Sequence, residues 1–104
     1  MKRSYKGKER RSAFRIIYEP HKRPVLMIRQ QEFEVADISE RGLRILTEKR
    51  FDTDHNLIRF SARFGDGETV DMEGRVVWCK NNEFGLHLKT IIPASILDQE
   101  RKNN

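Results

Sequence analysis

Cysteine is nearly missing from this chain. Its 104 residues include one, Cys79, so no internal disulfide can form. The expected setting is a reducing one, the cytoplasm. Long apolar runs are missing too. The longest, such as Pro24 to Ile28, fall far short of the about 20 residues that cross a bilayer. No apolar block near Met1 resembles a secretory leader. Membrane insertion is therefore not expected. Neither internal repeats nor low-complexity segments occur, and 104 residues suffice for one modest core but not two.

Catalytic signatures are equally scarce. His21, His55 and His87 are scattered, and none stands at a metal-ligand spacing from Cys79. There is no nucleophile elbow, phosphate-binding glycine loop or paired-carboxylate constellation. Asp52 and Asp54 lie in a polar stretch where they cap or solubilise a loop. The chain does not read as an enzyme, and no cofactor or metal is expected.

What the chain does have is positive charge gathered at one end. Residues 1–15 hold seven basic side chains against one acid, Glu9, a net of +6. The remaining 89 residues carry a net of −1. A near-neutral body with a cationic arm points to an anionic partner met at one place. The arm over 1–9 has almost no apolar content and is expected to be flexible, with the folded domain running over 10–104.

From Ser12 onward the pattern has a period of two. Phe14, Ile16 and Tyr18 alternate with Arg15, Ile17 and Glu19. Pro20 and Pro24 bracket a turn. Val25 to Ile38 holds two strand-like pieces with a junction near Gln30-Gln31-Glu32, and Gly42 separates them from Leu43 to Thr47. Ile58, Phe60, Ala62 and Phe64 form a half-buried strand. Gly65-Asp66-Gly67 signals a hairpin. Val70, Met72, Gly74, Val76 and Trp78 share one face of the next strand, Asn81-Asn82 turns the chain, and Phe84, Leu86 and Leu88 follow. Pro93 opens a short helix to about Arg101. Together these predict an all-β fold: a six-stranded antiparallel β-barrel with a short C-terminal helix and a flexible N-terminal arm.

Two constellations bear on function. Arg11-Ser12-Ala13-Phe14-Arg15 is an RxxxR, and Asp37-Ile38-Ser39-Glu40-Arg41-Gly42 is a DxSxxG at a strand end. Singly, each has a bland explanation. Arginines four apart arise by chance in a basic chain. Asp37 and Ser39 could bond local amides, with Gly42 supplying a positive φ.

In this order and on an all-β background, the pair resembles the PilZ domain family over roughly Arg10 to Leu88. The resemblance includes Gly74-Arg75-Val76-Val77-Trp78 and Phe84-Gly85-Leu86. It implies binding of the bacterial second messenger cyclic di-GMP, with output to a protein in motility, adhesion or polysaccharide synthesis. Guanidinium forks suit both phosphate oxygens and the O6/N7 edge of guanine. Arg11 and Arg15 are the matching positions. Arg10, just before them, goes in the family with a stacked pair of ligand molecules. Asp37 either accepts from guanine N1–H and N2–H₂ or holds an arginine in place. Ser39 can add a hydroxyl bond, and Gly42 lets backbone approach. Trp78 could stack on a base, although its place in line with Val76 favours a core or rim position. Two rival readings are a small barrel binding single-stranded nucleic acid and a PilZ-like adaptor that binds proteins without nucleotide.

Overall fold

The computed structural model describes residues 15–48 and 56–103. The expectations for the arm, including Arg10 and Arg11, and for Asp52, Asp54 and His55 lie outside these residues. The elements are β1 (Ile16–Ile17), β2 (Val25–Ile28), β3 (Gln31–Ile38), β4 (Gly42–Leu46), β5 (Ile58–Arg63), β6 (Thr69–Lys80), β7 (Glu83–Leu88) and α1 (Ala94–Asn103). A 3₁₀ turn over Pro20–Lys22 links β1 to β2.

Every strand pairing is antiparallel. The order β3-β2-β5-β6-β7-β4 closes through a β3–β4 pairing into a six-stranded barrel, as the alternation predicted. Closure leaves no long edge to template aggregation. β1 is an additional short strand. It pairs with β3 through Ile16↔Ile38 and Ile17↔Asp37, beyond the point where β2 stops.

Left-handed residues set the register in three of the hairpin turns. Arg29 and Gln30 take φ of 50° and 69°, so β2 and β3 meet at Ile28↔Gln31. Asn81 and Asn82 do the same at 52° and 67°, joining Lys80 to Glu83. Two successive left-handed residues match the right-handed twist of the flanking strands. The first turn falls a residue or two earlier than the sequence indicated, because arginine and glutamine are not residues that advertise a left-handed backbone. Between β5 and β6, Gly67 adopts φ 87° and its N–H donates to the Phe64 carbonyl at 2.8 Å.

The interior is filled by one apolar cluster. Phe84, Leu26, Ile38, Ile45, Leu88 and Val35 are wholly buried, and Phe33 meets Phe84 edge to face at 5.8 Å. α1 covers one end through Ile96, with Ile92 buried just before it. It is also tied by a buried polar clasp. The Tyr18 hydroxyl donates to Glu100 Oε1 at 2.7 Å, and the Gly65 N–H donates to Oε2 at 3.1 Å.

Two bulges decide what faces outward. In β3 the register steps from Val35↔Ile45 to Asp37↔Arg44, so Ala36 is an extra residue. In β6 it steps from Val76↔Leu86 to Trp78↔Gly85, so Val77 is extra. Each bulge reverses the in–out phase downstream. Simple alternation from Phe33 and Val35 would aim Asp37 into the core. The bulge turns it out and puts Ile38 inside. Likewise Trp78 leaves the face of Val76, correcting the sequence reading, and Cys79 takes the inward position against the core.

Candidate functional site

Register partners on antiparallel strands share a face. The chain of partners Ile16–Ile38–Leu43–Leu86–Val76 runs across five strands, and all five residues are buried. One step along, Ile17–Asp37–Arg44–Gly85–Trp78 runs across the same strands on the outer face. This outer row is the candidate site.

Asp37 sits at its centre. Although it faces outward, it is only 4% exposed, because two arginines lie over it. Arg15 Nη1 donates to Oδ1 at 2.5 Å and Arg44 Nε donates to Oδ2 at 2.6 Å. Burying a carboxylate is costly unless charge and hydrogen bonds compensate it, and here both oxygens are engaged by guanidinium groups. The two arginines differ. Arg44 Nη1 also donates to Glu83, at 3.2 and 3.3 Å to the two oxygens, and its side chain is 34% exposed. The bond to Asp37, then that to Glu83, raises the Arg44 guanidinium above its ordinary range despite some burial. The Arg15 side chain is 51% exposed.

Around this centre the remaining predicted residues take distinct places. The Ser39 hydroxyl lies against the Gly42 carbonyl at 3.5 Å, and its N–H donates to the same oxygen at 2.9 Å. Gly42 does not have a positive φ, so that bland account of it does not hold. Its smallness serves proximity instead: a Cβ there would stand 3.3 Å from Ser39 Oγ and 4.0 Å from Arg15 Nη2. Trp78 lies half-buried across Gly85. A Cβ on Gly85 would collide with the indole, 2.9 Å from Cδ1 and nearer still to Nε1 and Cε2. The glycine is thus the floor on which the ring rests.

Arg15, Asp37, Gly42 and Trp78 line one cavity of about 270 Å³, together with Arg44 and His87. Ser39 adjoins it through Gly42. From the sequence, Arg44 and Arg41 stand near the motif, with phosphate contact and plain solvation equally open to them, and His87 reads as an exposed residue on the polar side of its strand. Glu83 was passed over, and it and the place of His87 beside Gly42 become visible only once the β4–β7 register is known. A larger depression of about 740 Å³ lies between β3 and the β6–β7 turn, but Glu32, Glu34 and Glu48 line it. Those carboxylates repel a doubly anionic ligand.

Among the described residues, no group of three histidine, cysteine or acidic side chains could hold a metal. No helix among them is long and apolar enough to cross a membrane.

Comparison with curated proteins gave no significant match. Among solved structures, the crystal structure of the Legionella uncharacterized protein Lpg0364 superposes with a TM-score of 0.57 at 12% identity, covering 86% of this chain and 88% of that one. That likeness concerns the fold. The profile of the PilZ domain family matches residues 9–100, which take in the whole barrel, both bulges and both motifs. The chain therefore belongs to the PilZ domain family, a family of ligand-binding and adaptor domains whose general ligand is cyclic di-GMP.

Proposed function

We propose that this chain is a cytoplasmic receptor for cyclic di-GMP that signals to a partner protein. One observation carries the reading: Asp37 is turned to the outer wall and grips Arg15 and Arg44 beside an indole. Arg11 and Arg10 lie four and five residues upstream of Arg15 in sequence and supply further forks.

The chemistry suggests an exchange. Guanine presents N1–H and N2–H₂ side by side, a donor pair much like the edge of a guanidinium. A guanine edge can therefore take the place of one arginine on Asp37. Arg15 is the one to yield, because it is half exposed and Arg44 is also held by Glu83. Once released, Arg15 pairs with a phosphate oxygen, and Arg11 and Arg10 close on the same dianion. Each charge-assisted bond contributes about 1.5–3 kcal/mol. Ser39 adds a hydroxyl bond to base or phosphate. The Trp78 ring provides a stacking face, worth about 1–3 kcal/mol per base. Gly42 keeps the approach clear. The closed segment then presents a changed surface to a protein in motility, adhesion or polysaccharide synthesis.

Calorimetric titration of the full chain with cyclic di-GMP tests this reading. Saturable binding at micromolar protein is expected, with two nucleotides per chain if Arg10 supports a stacked pair. No heat at that concentration would count against the reading. Tight binding of single-stranded oligonucleotides that collapses with salt would favour the nucleic-acid alternative. Capture of a partner protein that ignores the nucleotide would favour the adaptor.

A further inference from the structure

His87 is exposed on β7 and takes part in none of the contacts described so far. Its position is specific. Its register partner on β4 is Gly42, and its partner on β6 is Arg75, so all three share the outer face. Gly42 carries no side chain, and the place its Cβ would occupy lies 4.0 Å from Arg15 Nη2. His87 and the Arg15 guanidinium therefore both adjoin the bare Gly42, and His87 lines the same cavity as Arg15, Asp37 and Trp78.

We infer that His87 is a further ligand-contacting group of this site, and that capture of the anion is coupled to uptake of a proton. This rests on the nucleotide reading above. A cyclic dinucleotide held by Arg15 over Gly42 brings phosphate oxygens to the imidazole, and two negative charges favour the imidazolium, which donates from both nitrogens. Among the described residues, the charged groups on the elements around His87 are Arg75 and Glu73 from β6, Arg44 from β4, Glu40 and Arg41 from the β3–β4 turn, Arg15 before β1, Asp37 from β3, Glu83 on β7 and Lys89 just past it, with Glu73 paired to Lys89. Carboxylates, lysines and arginines ordinarily titrate well outside about pH 6–8, so imidazole is the group type here whose charge changes in that window. The phosphodiesters and guanines of the ligand keep their charge across it. With Asp37 held by Arg44 and, in the bound state, by a guanine edge, the ligand phosphates are the negative charges that binding adds beside the ring.

The experiment is a cyclic di-GMP titration of the full chain at pH 6, 7 and 8, in buffers of differing ionisation heat, for the wild type, His87→Gln and His87→Lys. The wild type should gain about three- to tenfold in affinity from pH 8 to pH 6, with net proton uptake seen as buffer-dependent heat. His87→Gln should vary by less than about twofold and resemble the wild type at pH 8. His87→Lys, charged throughout, should match the wild type at pH 6 across the range. A flat wild-type profile, or a slope that survives in His87→Gln, overturns the proton linkage and leaves nucleotide binding standing. A wild type that binds no cyclic di-GMP at any of the three pH values overturns the nucleotide reading and this inference with it.

Discussion

Two rows of side chains cross the same five strands of this barrel one residue apart. The inner row, Ile16, Ile38, Leu43, Leu86 and Val76, is sealed. The outer row, Ile17, Asp37, Arg44, Gly85 and Trp78, holds an acid, a base, a bare glycine and an indole. The strands, their twist and their backbone bonding are common to both. What separates them is phase, set by single extra residues at Ala36 and Val77. A core and a recognition surface can thus share one scaffold, with the site built by re-aiming two side chains rather than by adding a loop.

If that contrast is sound, breaking the inner row should cost stability and breaking the outer row should cost recognition. The largest effect is expected inside. Leu86→Ala should lose about 2–5 kcal/mol of unfolding free energy, measured by urea denaturation, because a buried cavity forms. An equally stable variant would mean the row is not the core. Next comes the carboxylate outside. Asp37→Ala should weaken cyclic di-GMP by roughly 100-fold or more, since both a base acceptor and the anchor of two arginines disappear. Arg15→Ala should follow at about tenfold or more, with little change in denaturation midpoint because its side chain is half exposed. Unchanged affinity in both would place the ligand elsewhere.

Smaller still is the effect of disturbing the floor of the site. Gly85→Ala should lift Trp78, the single tryptophan, shift its fluorescence and reduce affinity by about three- to tenfold. An unmoved emission spectrum would show that the indole does not rest there.

The smallest expected effect sharpens the contrast from within, at a polar group buried with the core. Burial, then the bond to Glu100, holds the Tyr18 hydroxyl protonated far above the usual tyrosine range. The folded chain keeps a proton that the unfolded chain loses near about pH 10. Stability is therefore full below that pH and declines above it. Tyr18→Phe should cost about 1 kcal/mol at neutral pH and flatten that alkaline decline, which denaturation at a series of pH values would show.

Much of this was legible in the residues. Period-two alternation marks β5 and most of β3, β6 and β7, because one face of each is buried, while β2 reads as a short apolar run, and Asn81-Asn82 and Gly65 to Gly67 declare their turns chemically. Arg15, Asp37, Ser39 and Gly42 were legible through motif spacing. The bulges were not. Alanine and valine are ordinary strand residues, and nothing local says that Ala36 or Val77 lacks a partner; that fact belongs to the facing strand. Trp78 was misplaced for this reason, and Asp37 would be buried in the core by the same reasoning. The bond between Arg44 and Glu83 spans 39 positions in sequence and needs the register before it can be seen.

The most direct test of the outer row is a titration of the isotope-labelled chain with cyclic di-GMP, followed by amide and side-chain N–H resonances. The largest shifts should fall on Asp37, Arg44, Gly85 and the Trp78 indole N–H, with the Arg15 Nε resonance moving as it leaves Asp37. Shifts centred instead on Glu32, Glu34 and Glu48, or no shifts at all, would contradict the account.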